Sequence, residues 1–188
     1  MDPSFLLLLA AVGAWSPSGA EHGCAFYVGA TDARGITPVR AECAWVVDAA
    51  RLTAVVSQMA NHDTIFSSLA DSALLSTRGG VQRIYQRQSA TLAPDREVVL
   101  DVTTEPLPDG TRVRFRKSAD QSGLKGDAVE VGFQEGMWEV HRTPGGARLI
   151  YELRYLPGGL VPTAVLKWFQ GAGTRAVLAD LKTHLGAR

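Results

Sequence analysis

The sequence predicts an α+β protein in which helices lie together on one face of an antiparallel sheet. The first observation is the stretch Arg148–Tyr155, where apolar and mostly polar residues alternate as in a strand with one buried face. The second is the turn Leu156–Pro162, followed by the long helical pattern Thr163–Leu185. The third is that most connections between the upstream strand patterns are of hairpin length, which favours antiparallel pairing.

The first part of the chain predicts a hairpin and then a helical insertion. Two strand patterns, Cys24–Ala30 and Ile36–Val46, flank a short turn. An aspartate that suits the N-cap position precedes a predicted helix over Ala49–Ala60, where apolar residues recur at helical spacing. A second helical turn is predicted over Thr64–Leu69. Short helices therefore follow the first two strands.

A run of strands then extends the predicted sheet. In chain order, these strands are Asp71–Ser76, Val81–Ala90, Arg96–Glu105, Thr111–Ser118, Ala128–Arg142 and Arg148–Tyr155. Gly132 and Gly136 indicate a bulge or bend within the fifth of them, because glycine inside a strand pattern often marks such a site. The helix Thr163–Leu185 completes the order of elements.

Length, charge and motifs exclude several broad classes of function. The chain has 188 residues, enough for one domain with a core. Nineteen acidic residues balance nineteen basic ones, so no nucleic-acid partner is expected. No Gly-x-Ser-x-Gly elbow, His-Glu-x-x-His motif or phosphate-binding loop is present in the sequence. The four histidines are scattered and are interpreted as surface residues, so no catalytic residue is predicted.

The start of the sequence predicts export. Phe5–Trp15 is almost wholly apolar, and the small residues of Ser16–Ala20 follow it, as in a secretory signal cleaved after Ala20. The prediction is a signal peptide over 1–20 and a mature domain over 21–188, which would be periplasmic or secreted. The alternative is an uncleaved interfacial anchor, since Met1-Asp2-Pro3 lacks the usual basic residue.

The two cysteines predict a disulfide bond. If the first hairpin pairs Ala30 with Thr37, Cys24 lies directly opposite Cys43. Cβ atoms of opposed strand residues are roughly 4.5–5.5 Å apart, which is close to bridging distance. An even number of cysteines in an exported protein agrees with a bridge, and the alternative is two buried thiols. No metal site is predicted, because neither cysteine lies in a Cys-x-x-Cys pair.

Three groups of residues carry a resemblance to a known superfamily. Arg83–Gln88 followed by Asp95–Glu97 is similar to a START pattern in which a strand leads past a short turn to an Arg-Asp or Arg-Glu pair. Gly136–Val140 is similar to the later strand that ends in an aromatic residue. The stretch Leu149–Pro162 and the helix after it are similar to the last strand and lid helix. Over roughly Ala25–Leu185, the chain thus resembles the START-like superfamily, also called SRPBCC.

The resemblance implies a helix-grip fold, in which a curved antiparallel sheet wraps around the long C-terminal helix and leaves a cavity between them. In the superfamily this cavity holds a sterol, phospholipid, polyketide or other apolar molecule. The expected function is binding, with or without transfer, of a hydrophobic ligand of the lipid class. No cofactor is expected, whereas transient membrane contact and a monomeric state are. The alternatives are a cyclase, aromatase or hydrolase that uses the same cavity, and an interaction module whose cavity is filled by its own side chains.

Seven residues are predicted to line that cavity. Arg96 is in phase with Val98 and Leu100, so its guanidinium is expected in or near the cavity, either as an anchor for a ligand headgroup or in a structural ion pair. The other six are aromatic, and they are Tyr85, Trp138, Tyr151, Tyr155, Trp168 and Phe169. The alternative for these aromatic residues is a place in the ordinary core.

Overall fold

The computed structural model describes residues 15–90, 93–160 and 172–188, and within these ranges it contains a ten-stranded sheet and three helical segments. The strands are β1 Ser16–Glu21, β2 Cys24–Val28, β3 Val39–Trp45, β4 Leu69–Arg78, β5 Val81–Ala90, β6 Ala93–Leu107, β7 Gly110–Lys117, β8 Val129–Glu130, β9 Phe133–Thr143 and β10 Gly146–Leu156. The helices are α1 Ala49–Ser57, a 3₁₀ helix Met59–Thr64, and α2 Ala172–Leu185.

The sheet has the order β1-β2-β3-β10-β9-β7-β6-β5-β4, with antiparallel pairing along this path. The short β8 pairs with β6 in parallel. Strand β3 therefore lies beside the last strand, and Trp45 pairs with Ala147. The connection through α1 and the 3₁₀ helix carries the chain from the middle of the sheet to β4 at one edge. Apart from β1 and the separate β8, this is the predicted order of elements, and the predicted fold class is confirmed.

Alternate residues of the strands form two faces, which we call the inner and outer faces. The inner face packs against α1 and α2 and forms the core, with fully buried residues such as Leu100 and Leu149. Leu178 and Leu181 are the fully buried residues through which α2 covers it. Removing this apolar surface from water is the main favourable contribution to folding.

Helix α2 confirms the second half of the predicted C-terminal helix. Its described residues run from Ala172 to Leu185, the predicted end. The predicted start at Thr163, together with Trp168 and Phe169, lies outside the described residues. In the described part of the chain, no helix combines the length and apolar character needed to cross a bilayer.

The hairpin of β2 and β3 confirms the prediction made from the cysteines. Cys24 is the register partner of Cys43, and a disulfide joins them. Indole Nε1 of Trp45 donates to the His22 carbonyl oxygen over 2.8 Å, which ties the same hairpin to the turn before it. The β2–β3 end of the sheet is therefore linked both covalently and by a buried hydrogen bond.

Two local predictions about strands and helices are corrected. The predicted helical turn Thr64–Leu69 is wrong, because the 3₁₀ helix ends at Thr64 and Leu69 already pairs with Gln88 in the sheet. The predicted strand Ala128–Arg142 is divided into β8 and β9. Within β9, a Cβ atom at Gly136 would lie 2.3 Å from the Glu152 carbonyl oxygen, so the position requires glycine.

Strand β1 was not predicted from the sequence. Its small residues follow an apolar run and were interpreted as the end of a signal peptide, but in the structure Ser16–Glu21 pairs with β2. Arg175 of α2 donates to the Ser18 carbonyl oxygen and the Glu21 carboxylate, each over 2.7 Å. The boundary after Ala20 stays a prediction, and cleavage there would remove most of β1.

Candidate functional site

A cavity of about 100 Å³ lies between the inner face, the 3₁₀ region and the first turns of α2. Apolar and aromatic side chains form much of its wall, and they are Met59, Phe66, Leu69, Phe115, Trp138, Tyr151, Leu153, Tyr155 and Val177. Polar side chains supply the rest among the described residues, and they are His62, Ser68, Gln86, Gln88, Ser89, Gln134 and Thr174.

One wall of the cavity is a row of stacked aromatic rings. Trp138 of β9 and Tyr151 of β10 are register partners, and their ring centroids are 4.0 Å apart at an interplanar angle of 26°. The ring of Phe66 stacks parallel to that of Trp138 at 6.2 Å. Side chains of directly opposed residues on one face of a sheet lie close enough for such contacts. The row therefore follows from the register of β9 with β10.

A second wall is a cluster of amide side chains, Gln86, Gln88 and Gln134, which we call the amide cluster. Tyr155 donates its phenolic hydrogen to Oε1 of Gln88 over 2.6 Å. Nε2 of Gln88 donates in turn to Oε1 of Gln134 over 2.9 Å. Buried amides are costly unless they are hydrogen-bonded, so this network explains how Gln88 and Gln134 are accommodated beside the core. Burial also raises the pKa of Tyr155, and the positive charge of Arg96 lowers it to a smaller extent.

His62 is buried beside the aromatic row, with 2% of its surface exposed. Its Nε2 lies 3.1 Å from the Val55 carbonyl oxygen, and its ring meets that of Phe66 edge to face at 4.8 Å. Burial lowers the pKa of His62 to about 4, although the bond to Val55 acts in the opposite direction. The imidazole is therefore neutral at pH 7. The interpretation of His62 as a surface residue was wrong. The sequence shows only that His62 lies between two helical patterns, and it does not show that the side chain packs against Phe66 and the Val55 carbonyl.

Two polar atoms of the cavity wall lack a hydrogen-bond partner among the described residues. One is Nε1 of the Trp138 indole and the other is Oγ1 of Thr174. Each of these residues is 3% exposed. Buried donors are nearly always paired in folded proteins, so both atoms are candidates for a hydrogen bond to a molecule in the cavity.

Three of the predicted lining residues, Trp138, Tyr151 and Tyr155, meet in the cavity wall. Their contact with a ligand stays a prediction. The other predicted residues behave differently. Trp168 and Phe169 lie outside the described residues, and Arg96 and Tyr85 take other positions.

Arg96 is buried next to the cavity without being among its described wall residues. It is 2% exposed and is the cross-strand partner of Gln88. Its Nη1 donates to the Pro94 carbonyl oxygen, while its Nε has no partner among the described residues. No carboxylate of the described chain forms an ion pair with it, so the structural ion pair is not found there. The role of Arg96 as a ligand anchor remains a prediction.

Tyr85 lies on the outer face, away from the cavity, which corrects the expectation that it lines the wall. Residues 118–127 form a loop over this part of the outer face, which we call the covering loop. The Tyr85 hydroxyl lies 3.4 Å from Oε2 of Glu97, and the ammonium of Lys125 is 4.8 Å from its ring centroid. Glu97 accepts backbone hydrogen bonds from Lys125 and Gly126, which hold the loop in place. Burial and the negative charge of Glu97 raise the pKa of Tyr85 to about 12.

The amide cluster was missed, although the sequence contains a signal for it. Gln86 and Gln88 are in phase with Ile84, which is fully buried. A polar residue in phase with the apolar side of a strand marks either a strand end or a buried polar site. His62 and Thr174 carry no such signal, because their burial depends on contacts between distant segments.

The chemistry that this site can perform is limited by its wall residues. Among the described residues, the wall contains no carboxylate, lysine or arginine. The described chain also holds no group of three or more histidine, cysteine, aspartate or glutamate side chains placed to bind a metal. What the wall offers is apolar contact and hydrogen bonding by neutral groups.

Comparison with solved structures shows what this architecture is similar to. A STAR-related lipid transfer protein fragment from Xanthomonas axonopodis matches with a TM-score of 0.81 and 22% identity, over 91% of this chain and 98% of that chain. Human StAR-related lipid transfer protein 5 matches with a TM-score of 0.83 and 13% identity, over 94% and 88% of the two chains. The Zhui aromatase/cyclase from Streptomyces matches with a TM-score of 0.58 and 15% identity, over 80% and 92%.

No family model matches the sequence, and no curated protein matches it. The structural matches therefore establish the fold. The chain has the START-like helix-grip fold, and the resemblance inferred from its motifs is confirmed at that level.

Proposed function

We propose that this protein binds a hydrophobic ligand, of the lipid class, in the cavity between the inner face and α2. The observation that carries the proposal is the buried aromatic cavity, whose wall has apolar contacts and a few polar groups, as ligand sites usually do. The fold supports it, because proteins described as lipid transfer proteins share that fold over nearly the whole chain.

The size of the cavity gives the proposal a physical consequence. Its volume of about 100 Å³ is smaller than the ~300–1,000 Å³ of common ligand pockets. A molecule as large as a sterol or phospholipid would therefore enter only as α2 and the loop 157–160 move away from the sheet. Gly158 and Gly159 in this loop have φ values of 74° and 63°, which glycine adopts without strain. Movement there would also release the ligand.

Transfer between membranes, transient membrane contact and a monomeric state are parts of the same proposal. Leu160 of the same loop is fully exposed, and its apolar side chain could contact a lipid surface. The disulfide between Cys24 and Cys43 favours an oxidising compartment, in agreement with export to the periplasm or the exterior.

The alternative function is an enzyme of the cyclase, aromatase or hydrolase type that uses the same cavity. The observation in its favour is the structural similarity to the Zhui aromatase/cyclase, which is lower than that to the lipid transfer proteins. Within the described wall, Tyr151, Tyr155 and His62 are the groups with acid or base chemistry, and burial raises the pKa of both phenols and lowers that of the imidazole. Turnover that depends on Tyr155 would favour this alternative.

Native mass spectrometry of the mature chain, with organic extraction of copurifying molecules, tests the proposal. The expected result is a stoichiometric apolar molecule, or uptake of a sterol, fatty acid or phospholipid by the stripped protein. Val177→Trp, which fills the cavity, should abolish this binding, whereas Thr183→Trp on the exposed side of the same helix should not. Failure of the stripped wild-type protein to take up any of the three lipid classes would overturn the proposal.

A further inference from the structure

The polar wall of the cavity is electrically neutral at pH 7 in the part of the chain that the structure describes. Its polar members are amides, hydroxyls and the buried His62. Burial keeps that imidazole uncharged, since its pKa falls to about 4. The described wall residues thus carry no charge of their own, and the guanidinium of Arg96 is buried beside them as the strand partner of Gln88. Burying an unpaired charge is far more costly than burying a hydrogen-bonded neutral group.

The unpartnered atoms of the wall are both able to donate a hydrogen bond. An indole Nε1 is a donor only, and a threonine hydroxyl is both a donor and an acceptor. Of the four described buried side-chain atoms without a partner, two are Trp138 Nε1 and Thr174 Oγ1, and both residues line the cavity. A buried tryptophan elsewhere in the chain is satisfied: Trp45 donates to the His22 carbonyl over 2.8 Å. Trp138 therefore differs from Trp45, the other buried tryptophan of the described chain, in having no acceptor.

We propose that the cavity selects an uncharged ligand with a neutral oxygen acceptor, such as a ketone, ester or hydroxyl group, which receives hydrogen bonds from Trp138 Nε1 and Thr174 Oγ1. The inference rests on the hydrophobic-ligand function proposed above and specifies the polar group of that ligand. Aromatic rings surround the apolar part of the molecule, and the two donors fix its oxygen. A carboxylate would instead need the buried guanidinium of Arg96, which is not among the described wall residues.

The two donors belong to different parts of the fold, so a ligand that binds both would connect these parts. Trp138 belongs to β9, whereas Thr174 lies near the start of the described part of α2. A ligand oxygen bound by both would connect the helix to the sheet. An apolar ligand of the same shape would leave both donors unsatisfied, and unsatisfied buried donors weaken binding.

Three small molecules of matched shape test the selection by isothermal titration calorimetry on stripped protein at pH 7.5. Acetophenone has a neutral acceptor, isopropylbenzene replaces the oxygen by a methyl group, and benzoate carries a charge. We expect acetophenone to bind about tenfold more tightly than either of the others, the effect of one or two neutral hydrogen bonds. Equal affinities for acetophenone and isopropylbenzene, or tighter binding of benzoate, would overturn the selection while hydrophobic binding stands.

Failure of acetophenone to bind at all would also overturn the selection. The proposed function is judged separately by the copurifying molecules and the lipid uptake of the same preparation. A protein that takes up a lipid but ignores acetophenone therefore contradicts only the selection, and a protein that takes up neither contradicts both.

Matched variants assign the effect to the two donors. Thr174→Val removes a hydroxyl without changing the shape of the side chain, and Trp138→Phe removes the indole N–H while keeping an aromatic ring. Each should lower the ratio of the acetophenone affinity to the isopropylbenzene affinity by about three- to tenfold. The ratio is the readout because the smaller ring of Trp138→Phe also removes apolar contacts that both ligands share. The controls are Thr183→Val, on the exposed side of α2, and Trp45→Phe, remote from the cavity. A control that lowers the affinity for acetophenone as much as Thr174→Val would contradict the assignment.

Discussion

The two faces of the sheet are made by the same strands and use polar residues in opposite ways. On the outer face, arginines and carboxylates form ion pairs across the strands, as where Arg148 contacts Glu42 at 2.6 Å and Arg40 contacts Glu42 at 2.8 Å. On the inner face, the polar residues of the cavity are neutral, and two of them lack a partner among the described residues. Along one strand, the polar residues that face outward thus form ion pairs, whereas those that face inward form the neutral wall of the cavity.

This difference between the two faces indicates that a ligand is bound by the inner face. The charged residues of the outer face satisfy one another in contact with water, and such pairs typically contribute only ~0–1 kcal/mol each to stability. The polar residues of the inner face are few, buried and incompletely satisfied. A polar group kept in the core at a cost to stability is a better candidate for ligand contact than a more numerous group on the surface.

The largest expected difference in stability is between substitutions of two neighbouring residues of β10. Leu149 is fully buried on the inner face, and Arg148 lies on the outer face. Leu149→Ala should lower the free energy of unfolding by about 2–5 kcal/mol, because it removes core contacts and leaves a cavity. Arg148→Ala should lower it by less than about 1 kcal/mol. Denaturant unfolding of both variants measures the difference, and equal losses would show that the faces do not differ in this way.

The disulfide on the inner face should have the next largest effect. Replacing Cys24 and Cys43 together by serine should lower the free energy of unfolding by roughly 2–4 kcal/mol, through the greater freedom of the unfolded chain. Titration of the denatured wild-type protein, folded under oxidising conditions, should find no free thiol. Two reactive thiols per chain would contradict the bridge between these residues.

The buried histidine predicts how stability depends on pH. Burial lowers the pKa of His62 in the folded protein to about 4, below its ordinary value of 6.5, so the unfolded chain binds the proton more readily. Stability is therefore complete above about pH 6.5 and falls by roughly 3 kcal/mol as the pH decreases to 4, at 1.36 kcal/mol per pKa unit. Unfolding curves between pH 7 and pH 4 should show this loss for the wild type.

His62→Gln is the matched variant for the pH test, since an amide can still donate to the Val55 carbonyl. Its stability should change much less over the same range. The outer carboxylates act at lower pH: their pKa values are lowered by arginine partners, as for Glu42 with Arg148 and Arg40. Their contribution is lost as the pH falls below their unfolded values near 4.5. A His62→Gln variant that loses as much stability above pH 4.5 as the wild type would assign the effect to other groups.

The smallest expected effect belongs to the outer face. Arg40 pairs with both Glu42 and Glu152. Arg40→Gln should lower the free energy of unfolding by at most about 1 kcal/mol in dilute salt, and by less in 1 M salt, because salt screens exposed charges. Unfolding at two salt concentrations checks this. Ligand affinity should not change, and a clear loss of affinity would connect the outer face to the cavity.

Much of the fold was predictable because the local signals agree with one another. The pattern over Val81–Ala90 predicted β5 with its observed limits. The turn between the first strands set a register, and that register placed Cys24 opposite Cys43. Strand β1 could not be found in the same way, because its small residues after an apolar run are also typical of a signal peptide cleavage region.

The candidate site was predicted less completely. Trp138, Tyr151 and Tyr155 were found because they alternate with polar residues on strands whose phase is clear. Tyr85 was assigned to the wrong face, since the covering loop buries the outer side of β5 as well and removes the contrast between the two faces. His62 and Thr174 were missed because only the packing of distant segments buries them.

The pairing of β3 with β10 has a consequence for how the protein acquires its structure. Strand β3 pairs with β2 on one side and with β10 on the other. The second side stays unpaired until the ribosome has made β10, in which Ala147 is the partner of Trp45. Val46 donates to the carbonyl oxygen of Arg188, the last residue, over 2.9 Å. Contacts between residues so remote in sequence slow folding, because the intervening chain must be ordered before they form. The complete sheet is therefore a late product of synthesis, and a chain still being made would lack the pairing between β3 and β10.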